Sequence, residues 1–145
     1  MQTEEIRIWK KVFESDLDYV STELKELLDP KSLILLEGEM GAGKTTFVRH
    51  YLKLNEVSSP TYSIIYRHGI VAHGDLYRLE NESEIDDLEL DLELEEVRTF
   101  FVEWGERFAL RLWRDLGDKF SFFRLKIDQI EGDGRHYQLD QVSFD

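Results

Sequence analysis

The strongest chemical signal in the chain is the stretch Leu33-Ile34-Leu35-Leu36-Glu37-Gly38-Glu39-Met40-Gly41-Ala42-Gly43-Lys44-Thr45-Thr46. Four apolar residues lead into Gly38, Gly41 and Gly43 and then into Lys44 and Thr45, which is the Gly-x4-Gly-Lys-Thr spacing of a phosphate-binding P-loop. Each residue type answers a physical need. Glycines let backbone N–H groups turn inward at φ values that other residues resist, so the loop wraps a phosphate chain with no side chain in the way. The helix expected to start near Thr45 adds the positive end of its dipole, and the Lys44 ammonium reaches the β- and γ-phosphates. Thr45 offers a hydroxyl to Mg²⁺.

Two acids stand where such a loop needs them. Asp75 follows the β-prone segment Ile70 to His73, and Glu103 closes the apolar run Thr99-Phe100-Phe101-Val102. A carboxylate at a strand end beside a P-loop binds Mg²⁺ or orients water, and an apolar strand closed by an acid has the form of a Walker B strand. Ser58-Ser59-Pro60-Thr61-Tyr62 by itself fits a turn leading into a strand first, and a nucleotide-sensing loop that brings Thr61 near a γ-phosphate as the alternative.

The elements that must position these groups are legible in the pattern. Ile6, Ile8 and Val12 suggest a first strand, broken in its alternation by Trp9. Ser15, with Asp18 three residues on, resembles a helix cap before the helical spacing of Leu17, Val20, Leu24, Leu27 and Leu28, and Pro30 ends that helix. Leu33 to Glu37, apolar on both faces, reads as a buried parallel strand. Thr45 to Leu54 is the helix behind the loop, with Phe47, Val48, Tyr51 and Leu52 inward. Tyr62 to Tyr66 and Ile70 to His73 form a hairpin about Arg67-His68-Gly69.

Residues 80 to 96 hold ten acids and no base. Leu88, Leu90, Leu92 and Leu94 alternate, but Glu and Leu favour helices, so short helices are expected there. Phe108, Leu112 and Trp113 mark a helix ending near Gly117, and Phe120 to Gln129 with His136 to Phe144 form a late antiparallel pair about Gly132 and Gly134. His50, His68, His73 and His136 have no metal-ligand spacing and are taken as structural or surface residues.

Composition sets bounds on function. The 145 residues carry a formal charge of −13, which opposes an extended nucleic-acid-binding face and points to protein partners with basic surfaces or to no macromolecular partner at all. With no cysteine there is no disulfide framework and no thiolate metal site. No apolar run approaches a membrane span and the first residues lack a signal-peptide core, so a soluble, cytoplasmic protein is expected.

Taken together, the loop, Ser59-Pro60-Thr61-Tyr62, His73-Gly74-Asp75-Leu76-Tyr77-Arg78-Leu79 and Glu103-Trp104-Gly105-Glu106 resemble, in order and separation, the TsaE (YjeE) family of bacterial P-loop ATPases. The resemblance covers nearly the whole chain and implies a single ATPase domain over residues 1–145, working with the TsaB–TsaD pair in threonylcarbamoyl (t6A) modification of adenosine 37 in ANN-decoding tRNAs. In that scheme tRNA is engaged only indirectly. The resemblance also implies that ATP or ADP lies on Met40, Gly41, Ala42, Gly43, Lys44, Thr45 and Thr46, that Mg²⁺ is contacted by Thr45 and Glu103, and that Asp75 is needed for hydrolysis; Asp75 counts with Thr45 and Glu103 among the metal residues, either acid standing as the closer partner. Thr61 falls in a block like a γ-phosphate switch. Glu14, Ser15, Gly134 and Arg135 match positions near the base and sugar, and Trp104 one that covers the site.

The expected architecture is a P-loop NTPase-like, three-layer α/β fold with a mostly parallel central sheet and antiparallel late strands. The catalytic expectation rests on Lys44, Asp75 and Glu103. Two other readings share the loop: a small-molecule kinase, which should carry an arginine-bearing lid, and a nucleotide-gated binding module with no turnover. No Asn-Lys-x-Asp sequence supports guanine recognition.

Overall fold

The structure, a computed structural model, describes residues 1–53 and 64–145. Strand β1 (Gln2–Val12) passes through a 3-10 turn (Glu14–Asp16) into helix α1 (Leu17–Leu27). Strand β2 (Ser32–Glu37) and helix α2 (Lys44–Leu52) flank the glycine-rich loop, and the hairpin β3 (Ile65–His68) and β4 (Val71–Asp75) follows. Short helices α3 (Ser83–Asp87) and α4 (Leu90–Glu93) precede β5 (Thr99–Glu103) and α5 (Ala109–Leu116), and the chain closes with β6 (Ser121–Gln129) and β7 (Arg135–Ser143).

The sheet order is β1-β7-β6-β2-β5-β4-β3. β6, β2, β5 and β4 run parallel, and antiparallel strands close both sides, β3 beyond β4 and β7 then β1 beyond β6. β2 is apolar on both faces because both are covered: Leu33 to Leu36 are each no more than 1% exposed. Ile34 and Leu36 pack towards α1 and α2 with Phe47, Phe101 and Tyr137, while Leu33 and Leu35 pack towards α5 with Phe100, Val102 and Leu112. This is the expected α/β arrangement of helices on both faces of a mostly parallel sheet. Among the described residues no helix is long and apolar enough to cross a membrane.

Four local expectations are corrected. β1 starts at Gln2, and register shifts between Glu5 and Arg7 and between Trp9 and Val12 turn Trp9 and Val12 inward while Ile6 is exposed. Before α1 the capping carboxylate is Asp16, which accepts the Phe13 N–H at 3.0 Å, rather than Ser15. α2 ends at Leu52 because Lys53 takes φ 58°, and Leu54 lies outside the described residues. The first hairpin turns at Gly69 and Ile70, so that β4 runs on through Asp75.

The acidic segment is helical as expected. Ile85, Leu90 and Leu94 reach the core and Leu92 faces solvent, so the leucine alternation does not mark a strand.

Candidate functional site

β2 delivers the loop at its C-terminal end. Gly38 passes so close to β6 that a Cβ there would lie 2.8 Å from the Ile127 carbonyl oxygen and 3.0 Å from the Ala42 Cβ. Gly38→Ala is therefore expected to destabilise the protein by about 2 kcal/mol through overpacking, read as a lower urea midpoint with an unchanged slope. Gly41 and Gly43 take φ of 85° and 105°, which turns the loop back on itself before α2 begins at Lys44.

The Lys44 side chain is only 5% exposed. Its Nζ donates to the Gly38 carbonyl at 2.9 Å and sits 3.5 Å from the centroid of the Trp104 ring. Cation–π attraction and one charge-assisted hydrogen bond thus hold the ammonium over the loop. Trp104 itself has φ 59°, a left-handed conformation costly for a bulky residue, and the Tyr77 ring packs 5.2 Å from it.

The two acids come side by side. Asp75 and Glu103 are register partners at the ends of β4 and β5, and the Leu76 N–H bonds the Glu103 carbonyl at 3.0 Å. Their environments differ. Asp75 is exposed and accepts the Tyr77 N–H at 3.0 Å, whereas Glu103 is 5% exposed and faces the first turn of α2. The Thr45 hydroxyl lies 3.3 and 3.4 Å from the two Glu103 carboxylate oxygens. One hydroxyl and one carboxylate at this spacing suit a hard divalent cation that takes its remaining oxygens from phosphate and water. Among the described residues no three His, Cys, Asp or Glu side chains form a metal cage, so such a cation would depend on a bound phosphate.

Beside the loop opens a cleft of about 470 Å³, walled by Phe13, Glu14, Leu17, Gly41 to Gly43, Thr46, Asp133, Arg135 and Tyr137. The late hairpin secures its loop side: Gln129 Nε2 donates to the Gly41 carbonyl and Arg135 Nε to that of Ala42, both at 2.9 Å. Glu14 is turned onto α2, where Arg49 and His50 reach its carboxylate at 3.0 and 3.3 Å. Tyr137 is buried in the cleft wall, and burial pushes its phenol up to about 12, so it stays neutral at ordinary pH.

The structure therefore gathers Gly41, Ala42, Gly43, Thr46, Glu14 and Arg135 around one cleft, and sets Thr45 against Glu103, Asp75 beside Glu103 and Lys44 on the Gly38 carbonyl at the loop. Met40 is 71% exposed at the loop's tip. Ser15 is exposed outside the cleft lining, and Gly134 backs the wall, where a Cβ would meet Ile130 at 3.1 Å and the Phe13 ring at 3.6 Å. Thr61 lies outside the described residues.

Sequence reasoning missed three residues. His73, taken as structural or surface, is buried with its Nε2 2.5 Å from a Glu103 carboxylate oxygen. Its signal was its place two residues before Asp75 on a strand, which puts both on one face. Phe13, exposed in the cleft wall, and Gln129, bonded to the loop, gave no signal of their own.

A buried parallel strand, a Gly-x4-Gly-Lys-Thr loop, a helix and an acid on the adjacent parallel strand define a P-loop fold. The crystal structure of Bacillus subtilis YdiB shares it: the TM-score is 0.65 at 20% identity, covering 99% of this chain and 89% of that one. Residues 13–136 match the family model of the threonylcarbamoyl adenosine biosynthesis protein TsaE. The chain belongs to the TsaE family. Similar relatives are the tRNA threonylcarbamoyladenosine biosynthesis proteins TsaE of Streptomyces coelicolor, 36% identical over 76% of this chain and 77% of that protein, and of Bacillus subtilis, 35% identical over 67% and 65%. That of a Nostoc species is 41% identical over 58% and 59%.

Proposed function

We propose that the protein is a partner-dependent ATPase of t6A biosynthesis, which binds ATP·Mg²⁺ at its P-loop and serves a TsaB–TsaD complex in threonylcarbamoyl modification of ANN-decoding tRNAs in the cytoplasm. The observation that carries this reading is the Thr45 hydroxyl set against the Glu103 carboxylate at 3.3 Å, directly beneath the loop. Relatives named for threonylcarbamoyladenosine biosynthesis support the pathway. The charge of −13 favours protein partners over direct tRNA contact.

In this reading the loop N–H groups and the start of α2 bind the β-phosphate, and the base and ribose occupy the cleft beside Phe13, Glu14 and Arg135. Lys44 leaves the Gly38 carbonyl and the Trp104 ring for the β- and γ-phosphate oxygens, where it stabilises charge as the anhydride bond breaks. Thr45 and Glu103 would hold Mg²⁺, which would supply positive charge to offset that of the transferring phosphate. Asp75, exposed beside Glu103, orients the attacking water in line with the leaving oxygen.

The test is phosphate release from ATP by the protein alone and then with TsaB and TsaD, with Glu103→Ala as the control. Release that rises on adding the partners and vanishes in Glu103→Ala is expected. Demonstrable ATP binding with no release under either condition would make the protein a nucleotide-gated binding module instead.

A further inference from the structure

The shortest polar contact of the site involves a residue with no part in the chemistry above. His73 and Glu103 sit on adjacent parallel strands, each 5% exposed, with His73 Nε2 at 2.5 Å from Glu103 Oε2. The other ring nitrogen, Nδ1, is buried with no hydrogen-bond partner among the described residues. A buried N–H without an acceptor costs more than a bare lone pair, so the Nε2–H tautomer, donating to the carboxylate, satisfies the pair.

The carboxylate is thereby gripped from two sides. His73 reaches it from β4, and the Thr45 hydroxyl reaches it from α2 at 3.3 and 3.4 Å. Glu has three side-chain torsions to fix. Without the imidazole, nothing from β4 would stop it swinging away from Thr45. A buried carboxylate fixed by a neutral N–H donor is a common way of orienting a metal's oxygen ligand.

We propose that His73 is a positioning residue: by donating Nε2–H to Glu103 it holds that carboxylate against Thr45 and so sets how strongly Mg²⁺ reinforces nucleotide binding. This rests on Thr45 and Glu103 being the cation's partners. The test is calorimetric titration of ADP with and without Mg²⁺, the readout being the ratio of the two affinities. Gln carries an N–H at the reach of Nε2 and Asn at that of Nδ1, so His73→Gln should keep the ratio within about threefold of the wild type, while His73→Asn and His73→Ala should lower it roughly tenfold or more. A ratio abolished by Glu103→Ala yet intact in His73→Ala would overturn the role of His73 and leave the metal reading standing. A wild-type ratio near one, unchanged in Glu103→Ala, would overturn both. Nitrogen-15 spectra of the wild-type imidazole in nucleotide-free protein give a check that needs no variant: the Nε2–H tautomer is expected, and an Nδ1–H tautomer, with a lone pair facing the carboxylate, would end the proposal.

Discussion

Lys44→Ala is expected to weaken ATP and ADP binding by about 100-fold while leaving the fold intact. The ammonium has two charge-assisted contacts to give to phosphate oxygens, each contributing about 1.5 kcal/mol, and every 1.4 kcal/mol is a tenfold change in affinity. The fold should hold because, among the described residues, Lys44 contributes only its bond to the Gly38 carbonyl and its place on the Trp104 ring, against the cost of keeping an ammonium 5% exposed. The helix behind it is anchored by Phe47, Val48 and Tyr51, none of which touches the lysine's role. Titration calorimetry together with a urea melt separates the two effects. A variant that binds nucleotide as the wild type does would remove phosphate binding from the loop.

Asp75→Ala is expected to behave in the opposite way, leaving nucleotide affinity within a few-fold and cutting partner-stimulated phosphate release by about 100-fold or more, as loss of a water-positioning group does. The carboxylate is exposed, and its one bond among the described residues, from the Tyr77 N–H, can be replaced by water, so little stability rides on it. Glu103 makes the contrast: it is buried between His73 and Thr45, and its loss should disturb metal-dependent binding first. Normal turnover in Asp75→Ala, measured with TsaB and TsaD present, would reduce Asp75 to the cap of the turn that carries Tyr77.

The positions of these groups were legible in the sequence because their signals are local. Leu33 to Leu36 announce a strand covered on both faces, and the glycine spacing after it admits one loop geometry. The acids at Asp75 and Glu103 were found because each ends a β-prone run. What stayed hidden depends on registers between distant segments. His73 meets Glu103 only because β4 lies parallel to β5 with Asp75 opposite Glu103, and no spacing within either strand encodes that offset. Trp9 turned inward, against the alternation of Ile6 and Ile8, because the register shift between Glu5 and Arg7 resets the face of β1 along β7. Asp16 replaced Ser15 as the cap because a 3-10 turn intervenes before α1, a choice that sequence pattern leaves nearly degenerate.

The strand order also governs how the chain can come into being. β2, whose end carries the phosphate loop, is bordered by β5 and β6, so Leu33 lies between Phe100 and Phe122. The two side-chain bonds that steady the loop come later still, from Gln129 and Arg135. A nascent chain that has just made its glycine-rich loop thus owns neither neighbour of the strand that supports it. Such long-range pairings close slowly and only after their loop entropy has been met. Until β6 has been synthesised, an apolar strand waits for partners with its backbone unpaired, as a clientele for chaperones does. The glycine-rich loop in its finished form is therefore among the last parts of the molecule to exist, and a chain cut short before β6 has no means of assembling it.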